Sequence, residues 1–217
     1  MTLNQQGNNY STQDLTSSGR KMVLTTFAAA LLSELDIVIL GVFYSGPILG
    51  VLAWSKRILE GLYQLVGASL DIVFPEISKL KNKNEITSIR SKLRIVILIS
   101  LFIPIAYVLL EDIANNVFIN VLGAEFENLA SIFSVVIFSL PFMLWSRINI
   151  IFARAMHYEV NLFKVISAAA FSSFLLYYIN DTYNYFSIEY GILGSQVLFS
   201  LFTSFLINNQ IKKEKDT

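Results

Sequence analysis

The sequence predicts an all-α fold, a polytopic bundle of six transmembrane helices, and three observations lead to this prediction. Apolar residues make up 54% of the 217 residues and the mean hydropathy is +0.58, whereas soluble domains are roughly 45–50% apolar. Six stretches come close to or exceed the run of about 20 mostly apolar residues that crosses a hydrocarbon core of about 30 Å. Lysine and arginine are concentrated in alternate connections between those stretches, as in proteins that cross the membrane repeatedly.

The six predicted spans lie between residues 20 and 209 and together form one helical lobe. They cover residues 22–44, 47–74, 93–122, 130–152, 162–179 and 188–207. The third span contains polar residues at 111–116, and Pro104 and Pro141 should kink the third and fourth spans because proline cannot donate a backbone hydrogen bond. The alanines at 168–170 and the small residues within 191–195 should permit close packing of the last two helices.

Charge in the connections predicts the orientation of the lobe. Basic residues lie at 20–21, at 79–94 between the second and third spans, at Arg154 after the fourth, and at 212–215, while the other connections are neutral or acidic. Because cytoplasmic connections retain lysine and arginine, both termini should be cytoplasmic. Residues 1–19 are polar and predicted to be disordered, and residues 210–217 should form a basic cytoplasmic tail.

Composition argues against several functional classes. The chain has no cysteine and one histidine, so it lacks thiolate ligands, and His157 has no second histidine with which to form a metal site. The acidic residues between 111 and 127 are most simply a solvated loop, and topology accounts for the basic connection at 79–94. We therefore expect neither an enzyme nor a cofactor, metal ion or nucleic-acid partner.

The second predicted span carries a polar face. At about 100° per residue, Arg57, Glu60, Gln64 and Asp71 lie within about 60° of one another, and Lys56 lies about 40° further round. Burying an ionisable side chain in a span costs at least about 2.5–3.5 kcal/mol, so such residues need a partner or a water-filled cavity. Three interpretations of this polar face are open. Its cations simply form ion pairs with Glu60 at helical spacing, the face lines a cavity, or the segment is an amphipathic helix at the membrane interface.

Two further charged positions are candidates for a site inside the bundle. Asp36, in the first span, could bind a cation or a proton, or be the counter-ion of Arg57; Glu34, two residues away, points in a different direction. Arg147 and Arg154 are seven residues apart and share a helix face that could present positive charge to an anionic substrate. Arg154 is close to a helix end, where its side chain can reach the interface.

An ordered set of residues resembles a known family. The segment SELDIVILGVFYSGPILGVLAWSKRILEGLYQLVGASLDIVFPEISKL at 33–80 carries the pattern, and VFINVLGAEFENLASIFSVV at 117–136 and EYGILGSQ at 189–196 extend it, with Leu122 and Phe126 as departures. These segments resemble the carboxy-terminal half of polysaccharide flippases in the multidrug/oligosaccharidyl-lipid/polysaccharide exporter superfamily. The matching positions are Asp36, Gly41, Gly50, Lys56, Arg57, Pro75 and Ser78.

The resemblance implies one six-helix lobe of a MATE-like fold in the bacterial inner membrane, among membrane lipids. Members usually have twelve or more helices, so an amino-terminal lobe or a second copy of the chain is the expected partner. The implied activity is the flipping of an undecaprenyl-diphosphate-linked oligosaccharide, such as an O-antigen or capsule repeat unit, by alternating access. A cation-coupled drug exporter lobe, or a non-transporting fragment or assembly subunit, are the alternatives.

The resemblance also implies roles for four side chains, and the polar face of the second span adds Glu60 and Asp71 to them. Positive groups in the central cavity would contact the diphosphate, and acidic groups would bind a coupling cation or neutralise the positive ones. The predicted diphosphate contacts are Arg57, Lys56 and Arg147, and the predicted cation or charge partners are Asp36, Glu60 and Asp71.

Overall fold

The computed structural model describes residues 46–72, 83–155, 159–183 and 188–213, together with the single positions 19, 23, 34, 37, 38, 41, 42 and 75. Within these residues the regular secondary structure is helical and contains no strand. The predicted all-α fold class is therefore confirmed, as a membrane helical bundle.

Eight α-helices lie in the described ranges. They are α1 (Pro47–Asp71), α2 (Lys83–Ser100), α3 (Phe102–Leu109), α4 (Glu111–Leu122), α5 (Leu129–Val136), α6 (Leu140–Ala155), α7 (Glu159–Tyr183) and α8 (Ile188–Lys213), with short 3-10 turns at Ala124–Phe126 and Ile137–Ser139. Helix α1 begins at a proline preceded by Gly46, whose φ of 80° lies in the left-handed region. Proline at the first helical position and a glycine before it start the helix sharply.

Four segments of the described chain are long and apolar enough to cross a membrane. They are Ser88–Leu109, Leu129–Arg154, Asn161–Asn180 and Glu189–Asn209, and they correspond to the third to sixth predicted spans. The first predicted span lies outside the described residues except for a few single positions. The second forms the 25-residue helix α1, which at 1.5 Å per residue is about 37 Å long. This length suffices to cross a membrane, but α1 carries more charged residues than the four apolar segments.

The predicted boundaries of the third span were wrong. The apolar segment begins at Ser88 and ends at Leu109, the chain turns at Leu110, and Glu111 starts the separate helix α4. The physical reason is that Glu111 and Asp112 occupy the first turn of α4, where negative charge interacts favourably with a helix N-terminus. With 12 residues, α4 is too short to span a bilayer.

Both prolines within the apolar segments coincide with interruptions. Pro104 leaves the carbonyl of Ser100 without its helical partner, and the helix breaks at Leu101 between α2 and α3. Pro141 follows the 3-10 turn that starts at Ile137 and separates α5 from α6. The predicted kinks at these two prolines are therefore present as breaks in α-helical geometry.

A tyrosine connects the helices on one side of these two breaks. The Tyr107 hydroxyl of α3 donates a hydrogen bond to the carbonyl oxygen of Ala130 on α5, at 3.3 Å. Its ring packs edge-to-face against Phe133, with 4.9 Å between centroids. Edge-to-face aromatic pairs add about 0.5–1.5 kcal/mol to the burial of the rings, so α3 and α5 are joined by both a polar and an aromatic contact.

The core is centred on the segment formed by α5 and α6, which contacts α1, α2, α4 and α8. Its apolar residues recur at intervals of three and four, so they form one continuous stripe along the helix. The buried members of that stripe are Phe133, Val136, Ile137, Leu140, Leu144, Ile148 and Phe152. Helix α1 adds the buried Leu52, Leu59 and Leu70 from the other side.

Helix α7 packs mainly on α8, and a glycine sets their distance. A Cβ atom added at Gly191 would lie 2.6 Å from Cε1 of Tyr177, whose side chain is fully buried. Ala169 and Ser195, from the two predicted stretches of small residues, are also buried. The small side chains thus permit close helix contact, as membrane helix pairs commonly require.

We predict that Gly191→Ala lowers the melting temperature of the detergent-solubilised chain. Overpacking a buried contact costs about 1–3 kcal/mol, which exceeds the gain of about 1 kcal/mol from replacing glycine by alanine in a helix. The matched control is Gly50→Ala, where an added Cβ would meet nothing within 4 Å and the melting temperature should stay or rise. Equal melting temperatures for the two variants would contradict the close packing of α7 on α8.

Candidate functional site

A cavity of about 520 Å³ lies between α1, α6 and α8, within the range of ordinary small-molecule sites. Helix α1 contributes the largest share of its polar lining. The lining residues are Lys56, Arg57, Glu60, Gly61, Tyr63 and Gln64 from α1, Met143, Ser146, Arg147 and Ile150 from α6, Gln196 and Phe199 from α8, and Glu34.

The two cations on the polar face of α1 form ion pairs with Glu60 on the same helix and with Glu34. The Lys56 ammonium lies 4.0 Å from Glu60, and the Arg57 guanidinium donates a hydrogen bond to the other Glu60 oxygen at 3.3 Å. Arg57 also lies 3.9 Å from Glu34. Two of the interpretations of this face, internal neutralisation and cavity lining, therefore hold together in the structure.

Lys56 and Arg57 differ in exposure although they are neighbours. The Lys56 side chain is 6% exposed and the Arg57 side chain is 68% exposed. Breaking a buried ion pair leaves an uncompensated charge, which is strongly destabilising, whereas an exposed pair is worth only about 0–1 kcal/mol. Lys56 is thus a fixed part of the cavity wall, and the Arg57 guanidinium can exchange partners at low cost.

A second ion pair joins α1 to α6. The Arg147 Nε donates to Oδ1 of Asp71 at 3.1 Å, and a terminal nitrogen of the same guanidinium donates to Oδ2. This bidentate geometry is the strongest form of a carboxylate–arginine contact. Asp71 is the last residue of α1, where the helix dipole disfavours negative charge, so Arg147 compensates for an otherwise unfavourable position.

Two residues of α1 shape the position of the Arg147 side chain. Its guanidinium carbon lies 5.0 Å from the centre of the Tyr63 ring, in cation–π contact. A Cβ atom added at Gly67 would overlap a terminal nitrogen of Arg147. Glycine at this position therefore makes room for the arginine against the backbone of α1.

The structure brings five of the six predicted site residues to this region. Lys56, Arg57, Glu60 and Arg147 line the cavity, and Asp71 is bound to Arg147 beside it. Asp36 lies outside the described residues. The carboxylate that contacts Arg57 from the first predicted span is Glu34.

Three further cavity features were not predicted from the sequence. Tyr63 and Gly67 lie against Arg147 of α6. In the sequence, only their place in or beside the polar face of α1 pointed to them. Ser146 is 2% exposed, and its hydroxyl has no hydrogen-bond partner within the described part of the chain. Nothing in the local sequence distinguishes Ser146 from other serines, since its position follows from tertiary packing.

Across the described ranges, no group of three histidine, aspartate or glutamate side chains is arranged to hold a metal ion.

A bundle of membrane-length apolar helices around a charged cavity defines a membrane protein with an internal polar site. A family model described as polysaccharide biosynthesis protein matches residues 2–131, which is more than half of the 217 residues. The chain belongs to this family. Searches of curated proteins and of solved structures found no match. The family match includes the polar face of α1 and ends before Arg147.

A double-mutant cycle between Asp71 and Arg147 should show direct coupling. We expect the free energies of unfolding of Asp71→Asn, Arg147→Gln and the double variant to give a coupling of about 1 kcal/mol or more, the range found for contacting charged pairs. The measurement is unfolding in mixed detergent micelles. The control cycle combines Asp71→Asn with Arg57→Gln, which lies almost four turns away on the same helix and should be additive within about 0.5 kcal/mol. Equal coupling in both cycles would contradict the ion pair.

Proposed function

We propose that the chain moves an anionic, lipid-linked oligosaccharide across the membrane, as one lobe of an alternating-access flippase. The observation that carries the proposal is the cavity between α1, α6 and α8, because three cationic side chains line it in a bundle that contains membrane-length helices. Membership in a polysaccharide biosynthesis family points to a saccharide as the cargo. The proposed activity is transport, with no chemical step on the saccharide.

The three cations can be matched to a diphosphate. Guanidinium groups bind phosphate oxygens in bidentate fashion, and an ammonium acts as a compact positive charge. In the structure all three cations are paired with carboxylates, so a diphosphate would replace a carboxylate as partner. Arg57 is the most exposed of them, and we propose that it makes the first contact with the diphosphate.

Arg147 would contact the diphosphate after Arg57 has bound it. Its bidentate bond to Asp71 and its contact with Tyr63 hold it more firmly than Arg57 is held. Transfer of the Arg147 side chain from Asp71 to a diphosphate would release the end of α1 from α6. In this proposal the substrate itself changes the packing of the two helices, which is the kind of differential contact that alternating access requires.

The unpaired hydroxyl of Ser146 supports a polar ligand in the same cavity. A buried hydroxyl without a partner costs free energy, and a bound saccharide or phosphate oxygen would supply that partner. Ser146 precedes Arg147 and lines the same wall, so one ligand could reach both side chains.

Three charged side chains at the edge of this site are exposed and need to be covered within a membrane. The side chains of Arg57, Glu34 and Asp71 are all more than half exposed, yet charged groups within spans face a bundle interior or a water-filled cavity, not lipid. We propose that a second lobe covers them, either an amino-terminal lobe of the same kind or a second copy of this chain.

A cation-coupled drug exporter lobe is the second candidate function. The observation in its favour is that the carboxylates of Glu34 and Glu60 line the same cavity and could bind a cationic compound. The cationic residues in the lining outnumber these two carboxylates, which favours the anionic substrate.

Replacement of Arg57 should abolish transport without affecting folding. We expect Arg57→Gln to reduce surface polysaccharide at least tenfold in a flippase-deficient strain that is complemented by the chain, either alone or with an amino-terminal lobe; Asp36→Asn should act likewise. The matched control is Lys92→Gln, which removes an exposed positive charge of α2 outside the cavity and should leave transport unchanged. Equal polysaccharide levels for Arg57→Gln and Lys92→Gln, with both proteins present in the membrane, would rule out the cavity as the substrate site.

The proposed orientation, with both termini in the cytoplasm of a bacterium, can be tested by cysteine labelling because the chain contains no cysteine. Asn128→Cys, in the connection before α5, should react with a membrane-impermeant maleimide in intact spheroplasts. Lys81→Cys, in the basic connection between α1 and α2, should react only after permeabilisation. The opposite labelling pattern would reverse the orientation.

A further inference from the structure

A second polar cluster lies apart from the cavity, at one end of the bundle, and is built around a buried arginine. Arg90 of α2 is 5% exposed. Its two terminal nitrogens donate hydrogen bonds to the side-chain oxygens of Asn208 on α8, at 2.8 Å, and Asn149 on α6, at 2.9 Å. One guanidinium thus connects three helices.

This cluster lies near the ends of three apolar segments. Arg90 is the third residue of the apolar segment Ser88–Leu109, and Asn208 is the last but one of Glu189–Asn209. Asn149 lies little more than one turn from the end of the segment that finishes at Arg154. All three polar side chains therefore belong to the same end of their helices, close to the boundary of the hydrocarbon core.

A tryptophan holds a second arginine beside the first. The guanidinium carbons of Arg90 and Arg94 lie 5.2 and 5.8 Å from the centre of the Trp145 ring, in cation–π contact. The indole nitrogen of Trp145 donates to the Ser204 hydroxyl at 2.6 Å, and Asn149 donates to the same hydroxyl at 3.1 Å. The ring is therefore fixed from the α8 side, and its position brings two positive charges together.

The charge of this cluster is not balanced within the described residues. The partners of Arg90 are neutral amides and a ring, and no carboxylate of the described chain forms an ion pair with Arg90 or Arg94. The Nε of Arg90 is buried and has no acceptor among the described residues. A buried charge requires a counter-charge to offset its desolvation, so the cluster calls for an anion from outside it.

We propose that Arg90 and Arg94 bind the phosphate group of an anionic phospholipid at this end of the bundle. Arg94 is exposed, and the apolar side chains that follow it on α2, Ile95, Leu98 and Ile99, are each about 60% exposed. A lipid whose phosphate contacts the arginines can lay its acyl chains along these side chains. The forked guanidinium geometry suits phosphate oxygens.

The position in the sequence also favours a lipid over a soluble phosphate. The two arginines end the basic segment 79–94, which is predicted to face the cytoplasm, and anionic lipids of the cytoplasmic leaflet attract such segments. Tryptophan is enriched at the same depth of the membrane. The bound lipid would stabilise the contact of α2 with α6 and α8, by the mass action of a ligand that binds the folded state.

The experiment is thermal unfolding of the full chain in a neutral maltoside detergent, titrated with phosphatidylglycerol, with zwitterionic phosphatidylcholine, or with inorganic phosphate. We expect phosphatidylglycerol to raise the melting temperature and the other two to raise it much less. Arg94→Gln should increase the phosphatidylglycerol concentration needed for half the effect by roughly tenfold, the size expected for the loss of one charge-assisted hydrogen bond. Lys92→Gln, an exposed cation on another side of the same helix, should change it less than about twofold.

Arg94→Gln is the main variant because Arg94 is exposed, and its replacement should leave the fold intact. Arg90→Gln provides a second test where it remains folded, and should remove the preference for phosphatidylglycerol. Equal effects of the two lipids, or equal losses in Arg94→Gln and Lys92→Gln, would overturn the proposal. A stabilisation by inorganic phosphate as large as that by phosphatidylglycerol would overturn the lipid as the source of the phosphate.

Discussion

The ion pair between Arg147 and Asp71 is the contact on which the charged part of this bundle depends. Helix α1 carries more charge than the apolar segments around it, and ionisable side chains within a membrane need partners. Glu60 pairs with the cations in the middle of α1 from within the helix, whereas Asp71 at the end of α1 forms its ion pair within the described residues by reaching across to α6. Tyr63 and Gly67 have their roles because of this crossing, since one supports the guanidinium and the other leaves space for it.

Sequence and structure agree where the determining physics is local. The length of an apolar run, the missing amide of a proline and the 100° rotation per helical residue each depend on near neighbours. Four of the six predicted spans therefore have a counterpart among the apolar segments of the described chain, and the breaks before Pro104 and Pro141 and the polar face of α1 are present as well. The end of the third span was not predicted correctly, because residues 111–116 are polar enough for a loop and also suit a helix start. The partners of Arg147 and Arg90 come from other helices, and no local pattern specifies which helix faces which.

The two arginine clusters differ in how their charge is balanced, and this difference agrees with the two roles proposed for them. In the cavity, Lys56, Arg57 and Arg147 all have carboxylates within 4.0 Å, so an anion must compete with an existing partner and can leave again. Around Trp145, the arginines have neutral partners in the described chain, so an anion would be retained. A transport site needs reversible binding, and a structural lipid site needs lasting occupancy.

The breaks at Leu101 and at Ile137–Ser139 each lie about two helical turns from the α4 side of their apolar segments. Tyr107 ties α3 to α5 on that side, whereas Arg90 ties α2 to α6 on the other. Interrupted helices bend most easily where hydrogen bonds are missing. Two of the apolar segments are therefore interrupted at a similar depth, whereas α7 and α8 continue past that depth as unbroken helices, so bending is expected in α3 and α5 and not across the whole bundle.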